Sequence, residues 1–408
     1  MNTKIRLTLM NFLQYAVWGA WLISLGAYLG NTLKFDGLQI GSFFATMGIA
    51  SLFMPAVMGI IADRWIPAKR LLGLCHLFAA GFITLAATRT DYNSLYTLVL
   101  LSVMFYMPTI ALSNSVAYNA LEKAGLDTVT HFPPIRVWGT VGFICAMWVV
   151  DLGKMGLSAT QLYFSATLGL ILGLYSFTLP NCPINRSGGG KSIVDLLGLR
   201  AFALFKQRKM AIFFIFSMLL GMSLQITNAF ADGYIKSFGD TGIHGAKYLG
   251  TFGVEHSTIL ISLSQISETL CILLIPFFLK RFGIKRVMLI AMFAWVLRFA
   301  LLGAGNPGPG VWMFILSMIV YGVAFDFFNI SGSLFVEKET SAAIRSSAQG
   351  VFMIMTNGLG ALIGSYLAGW IVNHYGWPLS WYLFAGFSLV VAIVFAVIFK
   401  YKHDPNRI

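Results

Sequence analysis

Glu268 and Asp326 lie inside otherwise apolar stretches, ISLSQISETLCILLIPFF and MIVYGVAFDFFNISG. A carboxylate at the centre of a bilayer costs about 2.5–3.5 kcal/mol or more unless it is protonated, paired or hydrated, so a membrane protein keeps one where its function needs it. Such a group can take up and release a proton while a cargo crosses. Arg298, in FAWVLRFALL, is a candidate partner. If its helix approaches that of Asp326, the two could neutralise each other, and an ion pair made and broken with protonation couples a proton to a cargo. A permanent structural pair is the alternative.

Other polar side chains recur at helical spacing. In FPPIRVWGTVGFI, Pro133 and Pro134 fit the first turn of a helix, where their missing N–H groups are not needed. Arg136, Thr140 and Phe143 then fall at i, i+4 and i+7 on one face, with Gly139 and Gly142 allowing a close helix approach. The guanidinium either reaches the headgroups along the membrane edge or faces a cavity, donating to a polar cargo on which Phe143 stacks. Gln225 and Asn228, three apart in MLLGMSLQITNAFADGY, offer amides that suit a neutral cargo bearing hydroxyls and amides, or that serve as interhelical hydrogen bonds. Gln265 and Glu268 repeat that spacing. A purely structural Glu268 would need a cation, and its own helix carries none. Tyr321 and Phe325 lie in the same run as Asp326, five residues and one residue before it. One cation, one carboxylate, amides, a hydroxyl and rings on two helices fit a sugar less well than a nucleoside, whose flat base sits between rings. No unwound segment rich in hydroxyls and carboxylates marks a sodium site, so the proton is the coupling ion expected, with no cofactor. Cys75, Cys145, Cys182 and Cys271 show no C-x-x-C spacing, which argues against disulfides and metal sites. His374 and His403 read as surface residues.

The elements that position these residues follow from composition. Hydrophobic residues make up 58% of the 408 positions and charged ones 11%, and mean hydropathy is +0.78. That places the chain in lipid. Runs long enough to cross ~30 Å of hydrocarbon as helices are read at 7–30, 38–62, 70–88, 94–120, 133–152, 158–180, 209–237, 256–279, 286–304, 311–336, 342–373 and 378–400. The runs are continuously apolar rather than alternating, so helix is preferred to barrel. The first run exceeds the apolar core of a cleavable signal peptide and reads as a retained anchor. With the N-terminus inside, only Lys34, Arg89, Lys154, Lys236 and Lys247 fall in outer loops, and apart from Arg298 every other Lys and Arg lies on the inner side. Both termini are therefore expected in the cytoplasm. That asymmetry and anionic headgroups account for the net charge of +13, so nucleic-acid binding is not expected.

A polar segment, Asn181 to Lys209, divides six runs from six. The expected organisation is a bundle over 1–180, a cytoplasmic linker over 181–208 with an interfacial amphipathic helix at SIVDLLGLRAFALFK, and a second bundle over 209–408. GIIADRWIPAKR after the second run and FFLKRFGIKR after the eighth suggest duplicated halves, hence a rocking-bundle transporter with its cargo near the midplane. Gly59, Asp63 and Arg64 resemble the Gly-x-x-x-Asp-Arg signature of the major facilitator superfamily. The pattern departs from it at Ile66 and Pro67, and in the second half Lys280 stands where the Asp would be.

Longer stretches, among them FPPIRVWGTVGFI, LQITN, SQISETL, IPFFLKRFGIK and LSMIVYGVAFDFFNISGSLFVEKE, resemble the bacterial nucleoside:proton symporter family of that superfamily, nearly end to end. The resemblance implies an all-α membrane protein with twelve transmembrane helices in two six-helix bundles. It further implies proton-driven uptake of purine and pyrimidine nucleosides, uridine and adenosine for example, across the bacterial inner membrane by a protein expected to be monomeric. It would place Arg136, Thr140, Phe143, Gln225, Asn228, Gln265, Glu268, Tyr321 and Phe325 around the nucleoside, with Asp326 in proton coupling. Arg136, Gly139 and Gly142 are also similar to the Arg-x-x-Gly-x-x-Gly pattern of lactose-permease-type symporters, so a proton-coupled sugar symporter is the alternative.

Overall fold

The structure, a computed structural model, describes residues 2–180, 199–341 and 344–401. Among them every regular element is helical, the arrangement in which a backbone surrounded by apolar groups satisfies its own N–H and C=O groups. The long helices are α1 (Thr3–Gly19), α2 (Gly37–Arg64), α3 (Ala68–Ala87), α4 (Tyr92–Lys123), α5 (Thr128–Leu152), α6 (Thr160–Ser176) and α7 (Arg208–Ser237). Next comes Ser257–Ala304, interrupted at Gly283, whose φ of 75° and ψ of 166° are not helical. Glycine adopts that backbone without the penalty a Cβ would bring. Residues 257–282 form α8 and 284–304 form α9. Then follow α10 (Val311–Glu339), α11 (Arg345–Met353, a π-helical stretch Ile354–Gly360, and Ala361–Tyr375) and α12 (Leu379–Ile398). Nine helices among the described residues are long and apolar enough to cross a membrane, with Ser257–Ala304 taken as one.

Several boundaries depart from the sequence reading. The first run is not one helix: α1 stops at Gly19, and a turn and a π-helical stretch Tyr28–Thr32 complete it. Pro133 and Pro134 lie in the second turn of α5 rather than its first, because Asp127 caps the helix earlier, accepting from the Thr130 N–H at 3.0 Å. Gly59 to Arg64 belong to the last turns of α2 rather than a loop. No helix breaker intervenes before Pro67, and Arg64 sits at the helix end that favours a cation. Most of the linker, Cys182 and His403 lie outside the described residues. The described end of the linker, Leu199–Lys206, is a 3-10 helix whose Phe205 ring lies 5.2 Å from Phe214 of α7.

Helix starts follow local chemistry. Asp36 and Gln39 exchange side-chain and backbone hydrogen bonds at 2.8 and 3.0 Å, a capping box that starts α2. Asp91 accepts from the Ser94 N–H at 2.8 Å at the start of α4, and that bond holds its carboxyl below the ordinary carboxylate range.

The chain divides into two compact units, Met1–Phe35 with Thr46–Leu196, and Asp36–Ala45 with Leu197–Ile408. The start of α2 thus belongs to the second unit, where the Gly37 N–H donates to Asn373 Oδ1 of α11 at 2.5 Å. The core of the first unit gathers Leu7 and Met10 of α1, Leu72 of α3, Leu112 and Val116 of α4 and Leu172 of α6. Each unit repeats the other's devices. In the first, α1 and α5 touch backbone to backbone, so that a Cβ on Gly142 would lie 2.8 Å from the carbonyl carbon of Phe12. In the second, α7 and α11 do the same, with Gly221 against Thr356. At the start of α3, Lys69 Nζ donates to the Leu179 carbonyl at 2.8 Å, just beyond α6. At the start of α9, Lys285 Nζ donates to the Ala396 carbonyl at the end of α12 at 2.9 Å. Cations there answer both the unpaired carbonyls and the helix dipole.

Candidate functional site

In the first unit α5 carries Arg136, Thr140 and Phe143. The guanidinium carbon of half-buried Arg136 lies over the ring of Tyr15 from α1, 3.9 Å from its centroid, rather than extending free of the protein. Thr140 is half-buried and Phe143 buried.

In the second unit, α7 presents Gln225 and Asn228 and α8 presents Gln265 and Glu268. Gln225 is 7% exposed and its Oε1 is buried with no hydrogen-bond partner among the described residues. An amide left unsatisfied in an apolar bundle costs about 1–3 kcal/mol, which a bound polar molecule would recover. On α10, Tyr321 and Phe325 stack nearly parallel, 5.6 Å apart at 5°. The guanidinium of Arg298 lies over the Tyr321 ring, 4.7 Å from its centroid, and Trp295 meets that ring edge-on at 6.0 Å. The result is a cluster of cation and rings built by α9 and α10.

Arg298 and Asp326 do not form the ion pair that the sequence suggests. Arg298 Nη1 donates to the Ser317 carbonyl at 2.7 Å and Ser317 Oγ donates back to the Arg298 carbonyl at 3.0 Å, with Ser264 Oγ a further acceptor at 3.4 Å. This exchange ties α9 to α10 through Nη1, while Nε of the same guanidinium is buried with no hydrogen-bond partner among the described residues. Asp326 is 4% exposed, and its Oδ2 has no hydrogen-bond partner among the described residues. It interacts electrostatically with Glu268 instead.

Two amides that the sequence reading passed over join this region. Asn329 continues the face of Tyr321 and Phe325 at i+8, and Asn357 lies in the π-helical stretch of α11. Both line a cavity of about 20 Å³ with Trp295, Phe325, Gly221 and Leu224. The recorded partner of the Asn357 amide is the Met353 sulfur at 3.8 Å, a weak acceptor. The signal for Asn357 was present in MTNGLG, a polar and glycine-rich break in an apolar run. In the first unit the overlooked group is a buried hydrogen-bonded network. Gln14 Nε2 donates to Thr109 Oγ1 at 2.7 Å, Gln14 Oε1 pairs with His76 Nε2 at 2.8 Å, and the Tyr106 hydroxyl donates to the Gln14 carbonyl at 2.7 Å. Gly59 has open space around it, Arg64 is exposed, and the Asp63 side chain lies outside the described residues. Cys75, Cys145 and Cys271 are free thiols, and His374 is exposed.

Comparison with known proteins places this geometry. The chain is 51% identical over 410 residues to the nucleoside permease NupG of Escherichia coli strain K12, covering 99% of this chain and 97% of that one. It is 50% identical over 415 residues to the xanthosine permease of the same organism, covering 100% and 98%. It superposes on a crystal structure of the nucleoside transporter NupG with a TM-score of 0.91 at 51% identity, over 98% of this chain and 100% of that one. These relatives are transporters and not enzymes, and the chain is a multi-pass membrane protein like them. The model of the family described as nucleoside H+ symporter matches residues 1–404, and the chain belongs to that family.

Proposed function

We propose that the protein is a proton-driven importer of purine and pyrimidine nucleosides that works by alternating access. The observation that carries this reading is the unsatisfied Gln225 amide together with two interacting carboxyls in the apolar helices of the second unit. Amides exchange donor and acceptor contacts with ribose hydroxyls and base edges. In this reading Glu268, Gln225, Asn228 and Gln265 hold the ribose, and the Tyr321–Phe325 stack, Phe143, Thr140 and Arg136 take the base. Asp326 binds and releases the coupling proton, and Arg298 supplies a fixed positive charge where α9 is tied to α10. The proton is the only coupling agent and no cofactor takes part.

Twelve spans are counted in this reading. The nine long helices become ten when Ser257–Ala304 is divided at Gly283, and α1 and α6, of 17 residues each, complete the set. Residues 1–180 and 209–408 form the two halves, 181–208 tethers them, and Gly59, Asp63 and Arg64 act at the cytoplasmic end as halves change state. In this reading the protein works as a monomer in the bacterial inner membrane, and the basic residues gathered on one side support cytoplasmic termini.

Uptake of labelled uridine or adenosine into vesicles, with and without an inward proton gradient, tests the reading. Accumulation should follow the gradient and collapse with a protonophore. Uptake that ignores the protonophore would remove the coupling, and competition by disaccharides but not nucleosides would replace the nucleoside with a sugar.

A further inference from the structure

Tyr15 and Trp18 stand one turn apart on α1, and each meets a different residue of α5. The ring of Tyr15 underlies the Arg136 guanidinium at 3.9 Å, and the indole of Trp18 meets Phe143 edge-on at 6.3 Å and 86°. We propose that Tyr15 and Trp18 are positioning residues of the transport site, holding Arg136 and Phe143 in the orientation that receives cargo. This rests on the nucleoside reading above.

The way Arg136 is held bears directly on what it can do. A carboxylate partner would occupy its forked N–H donors, whereas an aromatic ring 3.9 Å away holds the guanidinium by a cation–π contact that takes up none of the hydrogen bonds a carboxylate would. Among the described residues no carboxylate is paired with Arg136. Gly139 makes the arrangement possible. A Cβ there would lie 2.6 Å from Tyr15 Cδ2 and 2.8 Å from Arg136 Nη1, so ring and guanidinium share the space that a side chain would fill.

The platform is itself anchored. Gln14, adjacent to Tyr15, is fully buried and tied to Thr109, His76 and Tyr106. Because the Gln14 amide nitrogen donates to Thr109, its oxygen accepts from His76, and the network assigns the Nε2–H tautomer to that histidine. Three hydrogen bonds from α3 and α4 thus set the rotation of α1 at the residue before Tyr15. The same Tyr106 ring packs 5.8 Å from Trp18, which extends the anchor to the second platform.

The test uses the full-length protein in proteoliposomes and four variants. Tyr15→Leu and Trp18→Leu should raise the KM for uridine by about 2- to 30-fold with Vmax within about twofold, while Tyr15→Phe and Trp18→Phe, which keep a ring, should restore KM. A second measurement does not depend on transport: modification of Arg136 by phenylglyoxal in detergent, followed by mass spectrometry, should quicken in Tyr15→Leu and remain at the wild-type rate in Tyr15→Phe. Unchanged KM and unchanged Arg136 reactivity in Tyr15→Leu would overturn the proposal, as would an equal KM rise in the Leu and Phe variants. A wild-type protein that moves no nucleoside would sink the transport reading, and the phenylglyoxal arm would still decide whether the ring holds the guanidinium.

Discussion

Replacing Gly142 by alanine should destabilise the first unit by an amount set by the crossing of α1 and α5. The added Cβ would lie 2.8 Å from the Phe12 carbonyl carbon and 3.0 Å from its Cα, where carbon atoms settle at about 3.5–4.0 Å. The obstacle is main chain, which cannot swing aside as a flexible side chain can, so the helices must part by roughly 0.5–1 Å along the crossing. Overpacking of this kind costs about 1–3 kcal/mol. For a unit of this size each kcal/mol lowers the midpoint by about 2–4 °C, so the fall expected is about 2–12 °C. Gly81→Ala is the control. It lies in α3 with nothing within 4 Å of the added atom, and helix propensity alone favours the alanine by about 0.5–1 kcal/mol. Thermal unfolding of the detergent-solubilised proteins, followed by far-ultraviolet circular dichroism, compares the two. Gly221→Ala should reproduce the Gly142→Ala result, since its Cβ would meet the Thr356 carbonyl carbon at 2.8 Å. If Gly142→Ala and Gly81→Ala unfold at the same temperature, the close crossing does not hold and the account of the repeated halves fails with it.

Asp326→Asn should abolish accumulation of uridine against its gradient while leaving uridine–uridine exchange measurable, and accumulation equal to wild type would remove Asp326 from proton coupling. Asn357→Leu should raise the uridine KM by about 2- to 12-fold, the range for one lost hydrogen bond, with the unfolding midpoint unmoved; an unchanged KM would show that the amide in the π-helical stretch does not meet cargo. The Asp91 cap should show a pH signature. Its carboxyl is held below its ordinary value of 3.8 in the folded protein, so the cap's support of α4 is present above that value and is lost as pH falls through the lower folded value. Amide exchange in the first turn of α4, compared with Asp91→Ala and corrected for intrinsic rates, should converge between the two proteins only below about pH 3.8; convergence already at neutral pH would refute the cap.

The helical class and most helix positions were legible because an apolar run of bilayer length leaves the backbone few alternatives. The ends of those runs were less legible. Hydropathy marks where apolar residues stop, whereas Asp127 starts α5 five residues before the apolar run and α2 continues to Arg64 until Pro67 approaches. Single residues of unusual type, Glu268 and Asp326 above all, stood out from their surroundings. Their partners did not. Whether Arg298 meets a carboxylate or a carbonyl depends on the rotation of α9 against α10, which spacing within either helix does not report. The Gln14, His76, Tyr106 and Thr109 network escaped notice for a related reason. Its members come from three helices, each holding one or two polar residues that look like ordinary core neighbours in sequence. Asn357 was hidden differently, since a helical wheel drawn through α11 misplaces every residue beyond the extra one in its π-helical stretch.

The exchange of hydrogen bonds between Arg298 and Ser317 has an electrical consequence. A guanidinium bolted between two helices keeps its charge wherever those helices go, so the sum over Arg298, Glu268 and Asp326 is zero when one carboxyl carries a proton and minus one when neither does. Each elementary charge moved through 100 mV is worth about 2.3 kcal/mol. The loaded leg of the cycle would then be indifferent to membrane voltage while the empty return would feel it. Transient currents recorded on a supported membrane, with voltage dependence confined to the return, are the expected trace; voltage dependence confined to the loaded leg would contradict that charge count.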